Sequence, residues 1–271
     1  MDNSKLKRVL MIASSIIVLM IGLSLIVTGY CLKVMKIDIH EAWLYVFFIL
    51  GAVFSFVGIC FIYQIFHKKE NKLSVKQMTM IGIMSSITVI LYYFVKFNLP
   101  FFPPWLDIQV SEIPALITAF AYGPQAGCLV IFVRCIIKLP ATQTAGVGEV
   151  ADLILGVVLV LISSLIYHRK KSVKTALIGL SLGVLVSTVM AMLVNWLMLI
   201  PAYITIAGFP MESLVGMLDS YIPYTVTESN FMLTYVFVGV LPFNIFRYII
   251  VVALTFLLYK KTHWLLDRIT K

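Results

Sequence analysis

Long apolar runs separated by short polar clusters organise this chain. Apolar positions run almost unbroken over 9–29, 43–66, 77–95, 112–138, 149–168, 174–202 and 232–259. A helix needs about 20 such residues to cross a bilayer, and most of these runs meet that length. The fourth run is interrupted by AYGPQAG, in which Gly123-Pro124 is a strong turn signal. Its halves, about eleven and fourteen residues long, predict two short or tilted helices, one descending and one returning. The whole pattern then predicts eight helices, an all-α polytopic membrane protein.

The stretch HKKENKLSVK, 67–76, is the one clear internal linker. It predicts an N-terminal transmembrane hairpin with its cytoplasmic linker over 1–72 and a six-helix membrane domain over 73–271. The hairpin spans hold few polar residues, whereas the body holds all 10 prolines. The first run lacks an A-x-A cleavage site and reads as a retained helix.

Composition supports the membrane reading and charge orients it. The chain is 61% hydrophobic, with a mean hydropathy of +1.03 and only 12% charged residues, about half the usual share of a soluble domain. In a soluble chain a net charge of +9 would suggest nucleic acid. Here the basic residues cluster between spans: Lys5, Lys7 and Arg8; Lys68, Lys69, Lys72 and Lys76; Arg169, Lys170, Lys171 and Lys174; Lys260, Lys261, Arg268 and Lys271. All these clusters fall on one side if eight helices alternate, which predicts cytoplasmic termini and no nucleic-acid partner. Most of the carboxylates fall on the other side, with the long 203–231 connection, so the functional mouth is expected to face outward from the cell membrane.

On that outer side lies NLPFFPPWLDIQVSEIP, 98–114, rich in proline, aromatic rings and carboxylates. Proline fixes φ and biases its predecessor towards extended backbone, so this loop is preset in shape. Its rings offer flat apolar surface, as a loop built to hold a ligand does.

Ionisable groups near a bilayer are functional candidates by default. Arg134 lies about one turn, and Lys138 none, from the outward end of their helix, close enough to snorkel. Glu149 and Asp152 begin the next helix at similar depth, which suggests an Arg134 to Asp152 pair. That pair either neutralises itself or contacts a ligand, and the two acids also suit a helix N-terminus. Asn195, in AMLVNWLMLIP, needs hydrogen-bond partners from another helix or from a ligand. Asn244 and Arg247, spaced i, i+3, share one helix face near an outward cavity, with a helix–helix contact as the alternative. Gly82-x-x-x-Ser86 is a small-residue pair that lets helices approach closely.

No HExxH or Walker A sequence is present, and no enzyme activity is expected. The four cysteines Cys31, Cys60, Cys128 and Cys135 form no CxxC pair, and His40, His67, His168 and His263 fall in predicted loops or tail. Neither a metal site nor a resident cofactor is expected.

The segments FNLPFFPPWLDIQVSEIPALI, AYGPQAG, TAGVGEVADLILG, LVNWLMLIP and LPFNIFR, in this order over about 76–260, resemble the riboflavin-binding S components of energy-coupling factor (ECF) transporters. The resemblance implies six helices around an outward-facing vitamin pocket, with a scaffold transmembrane subunit and two cytoplasmic ATPases as partners. It implies that the loop from Leu99 through Phe101 and Phe102 to Trp105 covers the isoalloxazine of riboflavin or a close flavin. Asn195 matches the asparagine of helix five that hydrogen-bonds the ligand, and Asn244 that of the last helix. Arg134, Glu149, Asp152 and Arg247 complete the candidate substrate-binding set, with Gly82 and Ser86 as the candidate docking face. Arg247 stands where Lys is expected, Cys135 where Asn commonly follows a basic residue, and Asp152 where Asn commonly follows the GVGE turn. A stand-alone secondary transporter of a small vitamin or heterocycle is the alternative, and its coupling site would be a midplane carboxylate or a broken helix.

Overall fold

The computed structural model describes residues 75–270 except 104, 143, 145, 206 and 207, with side chains to Tyr259, and in addition the single residues Gly22 and Gly51. The chain divides into two compact units, Met1–Lys72 and Leu73–Lys271. The account below is of the second. The expectations for the hairpin, and for Cys31 and Cys60, lie outside the described residues.

The second unit is built from helices. α1, Val75–Phe94, leads into a two-stranded antiparallel hairpin of β1, Lys96–Asn98, and β2, Asp107–Gln109, with Phe97 opposite Ile108. α2, Ile113–Tyr122, and α3, Pro124–Lys138, follow. They meet at Gly123, whose φ of 101° suits glycine, and Pro124 occupies the first turn of α3, where its missing N–H costs nothing. The break expected in the 112–138 run therefore falls at the Gly-Pro turn.

α4 is Val147–Arg169 and α5 is the span Val173–Thr205. α5 begins with a capping box, in which Ser172 accepts from the Thr175 N–H. It contains a π-helical stretch, Asn195–Leu199. α6, Met211–Asp219, follows. α7 begins at Glu228, contains a second π-helical stretch at Tyr235–Val240, and continues through Leu241–Thr270 to the end of the described residues, with Glu228–Tyr259 as its apolar span. The 203–231 connection is thus no plain loop. α5 runs on to Thr205, α7 starts at Glu228, and α6 inserts Leu214 and Leu218 into an apolar cluster with Ala191, Phe231 and Tyr235. Amphipathic spacing within that connection, not its mean hydropathy, carried the signal.

α1, α4, α5 and α7 are each long and apolar enough to cross a membrane, and so is α3 together with the 3-10 turn that extends it to Ala141. The protein is a multi-pass membrane protein. α2, only ten residues long, touches α1, α3, α4 and α7, and eight of its residues are buried. It is the post around which the spans stand. Close approach needs small residues here, since packing and not water drives helices together in lipid. A Cβ on Gly127 of α3 would lie 2.5 Å from Ala119 Cβ, and one on Gly179 of α5 2.5 Å from the Ser163 carbonyl of α4.

At the end holding the Gly123 turn, Tyr167 and Tyr259 hydroxyls share a hydrogen bond of 2.7 Å beside Phe120. His168 lies in α4, not in a loop, and its Nε2 is 2.9 Å from the Ala119 carbonyl. His168 is the last position of the 149–168 apolar run, and the helix continues through it to Arg169.

Candidate functional site

Away from the Gly123 turn, the helices open around a cavity of about 650 Å³, within the range of small-molecule sites. Every wall comes from the same end of the bundle: Tyr92 and Tyr93 from α1, Trp105, Asp107 and Gln109 from the hairpin, Lys138 from α3, Glu149 and Asp152 from α4, Asn195 and Tyr203 from α5, and Tyr235, Asn244 and Arg247 from α7.

The hairpin is held by its own aromatic anchor. Phe102 packs with Ile108 and Phe243 of α7, and Leu99 lies against that cluster. Phe101 is 59% exposed and meets the edge of Phe246. Leu99, Phe101 and Phe102 are therefore not among the residues lining the cavity. They fix the loop on α7, and Trp105 is its ring that enters.

Trp105 Nε1 donates to the Tyr235 hydroxyl at 3.2 Å, and that hydroxyl donates to Asn195 Oδ1 at 3.0 Å. Asn195 Nδ2 donates to the Ala191 carbonyl at 2.8 Å. The partner helix that Asn195 requires is α7. Asn244 Nδ2 likewise donates to the carbonyl four residues back, Val240, at 2.8 Å. This contact fixes the amide and leaves Oδ1 buried without a hydrogen bond, beside the cavity. Gln109 Oε1 is a second buried acceptor of this kind.

The charged groups pair differently from the sequence expectation. Arg134 is fully buried and does not snorkel. Its Nη1 donates to Ser111 Oγ at 2.6 Å and lies 3.5 Å from Glu112 Oε1, while Nη2 reaches only the backbone carbonyl of Asp152, at 3.5 Å. Glu112 also hydrogen-bonds Arg247. The Asp152 carboxylate is held by Lys138 at 2.5 Å, and Lys138 sits 3.7 Å over the Tyr92 ring. An Arg134–Asp152 ion pair does not form because the turn before α2 places Ser111 and Glu112 against Arg134 first. Arg134 stands behind the cavity wall and is not among its lining residues.

Glu149 begins α4 at a prearranged turn. Thr142 Oγ1 accepts the N–H groups of Thr144 and Gly146, with Gly146 at φ 88°. The Thr142 and Thr144 hydroxyls donate to Glu149 Oε2 at 2.8 and 3.3 Å. At the rim, Lys96 and Asp107 lie 3.9 Å apart across the hairpin. Among the described residues, no three His, Cys, Asp or Glu side chains gather as a metal site.

Of the ten expected binding residues, Trp105, Glu149, Asp152, Asn195, Asn244 and Arg247 line the cavity. Lys138, noted in the sequence as an ionisable group near the outward helix end, lines it too, as do Tyr92, Gln109, Tyr203 and Tyr235, which were not singled out; nor was Glu112, which stands behind the wall with Arg134. A carboxylate directly before an apolar helix was the available signal for Glu112. Gly82 and Ser86 lie on the exposed face of α1, remote from the cavity. Among the described residues nothing lies within 4 Å of a Cβ on Gly82, and Ser86 Oγ donates to the Gly82 carbonyl at 3.0 Å.

The family profile described as "ECF transporter, substrate-specific component" matches residues 76–259. The riboflavin transporter RibU of Staphylococcus aureus (strain TCH60) is 29% identical over 202 residues, 74% of this chain and 98% of that protein. The riboflavin transporter FmnP of Bacillus subtilis (strain 168) is 28% identical over 192 residues, 70% of this chain and 93% of that protein. A solved structure described as the S component of a bacterial ECF transporter superposes with a TM-score of 0.54 at 28% identity, covering 70% of this chain and 97% of that one.

Proposed function

This chain belongs to the substrate-specific components of the ECF transporters, and we propose that its cavity captures riboflavin, or a close flavin, from outside the cell. The observation that carries this reading is the cavity itself. Rings stand on its walls at Trp105, Tyr92, Tyr93, Tyr203 and Tyr235, and a buried amide acceptor, Asn244 Oδ1, has no donor among the described residues. A buried polar atom without a partner is costly unless a ligand supplies one. A planar heterocycle with apolar faces and a polar edge fits both features, and a preformed site loses little ordering entropy on binding it. The relatives named riboflavin transporters support the flavin among such ligands.

The positive-inside rule supports cytoplasmic termini and an outward-facing cavity, since Arg169, Lys170, Lys171 and Lys174 lie at the opposite end from the cavity mouth. Coupling to a scaffold subunit and two cytoplasmic ATPases follows from the family role. The docking face we assign is α1, of which Ile81, Ser85 and Thr88 are the buried positions among the described residues. Residues 1–72 are, in this reading, an accessory segment that ligand capture does not require.

Equilibrium dialysis of the purified protein tests capture, with saturable binding of about one riboflavin per chain expected. Labelled riboflavin uptake into vesicles tests coupling. Uptake is expected only when scaffold and ATPases are added, and uptake by this chain alone would make it a stand-alone transporter.

A further inference from the structure

Tyr235 is fully enclosed between α5, α7 and the Trp105 loop, 1% exposed, and its hydroxyl joins all three. The direction of the chain of hydrogen bonds is forced. An indole N–H can only donate, so Trp105 makes the Tyr235 oxygen an acceptor and leaves the phenol proton for another partner. That proton goes to Asn195 Oδ1, and the amide nitrogen of Asn195 in turn meets the Ala191 carbonyl. Flipping Asn195 would set its oxygen against that carbonyl. Both contacts therefore hold one orientation, in which an Nδ2 hydrogen remains over on a side chain that lines the cavity.

The backbone contributes to this arrangement. Asn195 is the first residue of the π-helical stretch in α5, and Tyr235 the first of the stretch in α7. Such stretches offset side chains relative to a regular helix and gather at functional sites. The two begin face to face, and the phenol spans them.

We propose that Tyr235 is a positioning residue for ligand capture: its hydroxyl ties the Trp105 loop to α5 and locks the Asn195 amide in the orientation that presents a hydrogen-bond donor to the cavity. This rests on the riboflavin reading of the same cavity. Tyr235 acts through Asn195, so the two side chains are coupled energetically. The lost partner of Trp105 is missing with and without ligand and cancels from the affinity.

The test is a double-mutant cycle on riboflavin affinity, with Tyr235→Phe, Asn195→Ala and the double variant. Tyr235→Phe is expected to weaken binding about tenfold, the effect of freeing one buried hydrogen-bonding group. In the Asn195→Ala background the same change is expected to cost less than about twofold. Equal losses in both backgrounds would overturn the proposal, as would a Tyr235→Phe protein that no longer elutes as a folded species, since the hydroxyl would then hold the fold and not the amide. The side-chain amide NMR signal of Asn195, assigned by its loss in Asn195→Ala, reads the lock without ligand. Faster amide exchange in Tyr235→Phe is expected, and an unchanged signal would refute the lock. Absence of saturable riboflavin binding in the unaltered protein would instead refute the flavin reading, and the amide signal would still decide the role of Tyr235.

Discussion

Replacing Glu112 by Gln tests the energetics of the wall behind the cavity. The carboxylate is 2% exposed and serves two guanidinium groups, Arg134 at 0% and Arg247 at 6% exposure. Gln keeps the volume and can still accept a hydrogen bond, so the substitution removes charge and little else. At 3.5 Å from Arg134 and an effective dielectric of about 20, the Coulomb attraction is ~5 kcal/mol. Its loss leaves two buried cations facing each other. A net destabilisation of about 3–5 kcal/mol is expected, typical of a buried pair from which one partner is removed. Asp107→Asn is the control. Its partner Lys96 is 3.9 Å away with side-chain exposures of 26% and 49%, and solvent-screened pairs of this kind contribute about 0–1 kcal/mol. Thermal unfolding of both variants in one detergent, followed by tryptophan fluorescence, makes the comparison. Glu112→Gln melting no lower than Asp107→Asn would show that Arg134 and Arg247 do not depend on Glu112, and the reasoning would fail.

Asn244→Ala is expected to weaken riboflavin binding by about 1–3 kcal/mol in equilibrium dialysis, since it deletes a cavity acceptor that none of the described residues uses. Gly127→Ala is expected to lower the melting temperature through a loss of about 1–3 kcal/mol, because the new methyl would meet Ala119 Cβ and the Ala115 carbonyl on α2. Gly82→Leu with Ser86→Leu is expected to leave folding and riboflavin affinity unchanged, as none of the described residues lies within 4 Å of a Cβ on Gly82. The same variant is expected to abolish ATP-dependent uptake and co-purification with the scaffold, and full uptake would remove this face of α1 as the docking site. Deleting 1–72 is expected to leave riboflavin affinity intact by dialysis, and loss of binding in a folded truncation would make the hairpin part of the site.

Much of the fold was legible because membrane spans are written in hydropathy alone. The Gly123-Pro124 break was legible too, since proline and a positive-φ glycine act locally. The pairing of charges was not. Arg134 and Asp152 stand at similar depths on adjacent helices, and the sequence alone suggested that pair. The actual partner, Glu112, lies on the turn before α2, and only the tertiary placement of that turn decides between them. The aromatic loop was legible as a unit but not residue by residue. Phe102 packs on Phe243 and Trp105 on Tyr235, and nothing in PFFPPW says which ring turns inward. Tyr235 went unnoticed because a tyrosine in an apolar helix is ordinary, and its role comes from the π-helical stretch that no hydropathy pattern reveals.

The charges at the cavity nearly all find partners within the protein. Lys96 faces Asp107, Lys138 holds Asp152, and Arg134 and Arg247 share Glu112. Glu149 is supplied by the Thr142 and Thr144 hydroxyls, and its charge offsets the extra guanidinium. The four cations and four carboxylates therefore balance, so a solute entering the cavity meets little net field. Selection then falls to the groups left uncommitted, which are amides and rings: Asn244 Oδ1, Gln109 Oε1, the spare Asn195 hydrogen and the aromatic walls. A site of this kind gains most from a ligand that brings its own donors and a flat face, because each satisfies a group whose desolvation the fold has already accepted. It gains little from a ligand that brings charge, since an added charge must compete with ion pairs already formed in a poorly solvated wall. Ion pairing thus fixes the shape of the cavity, and recognition is left to neutral groups.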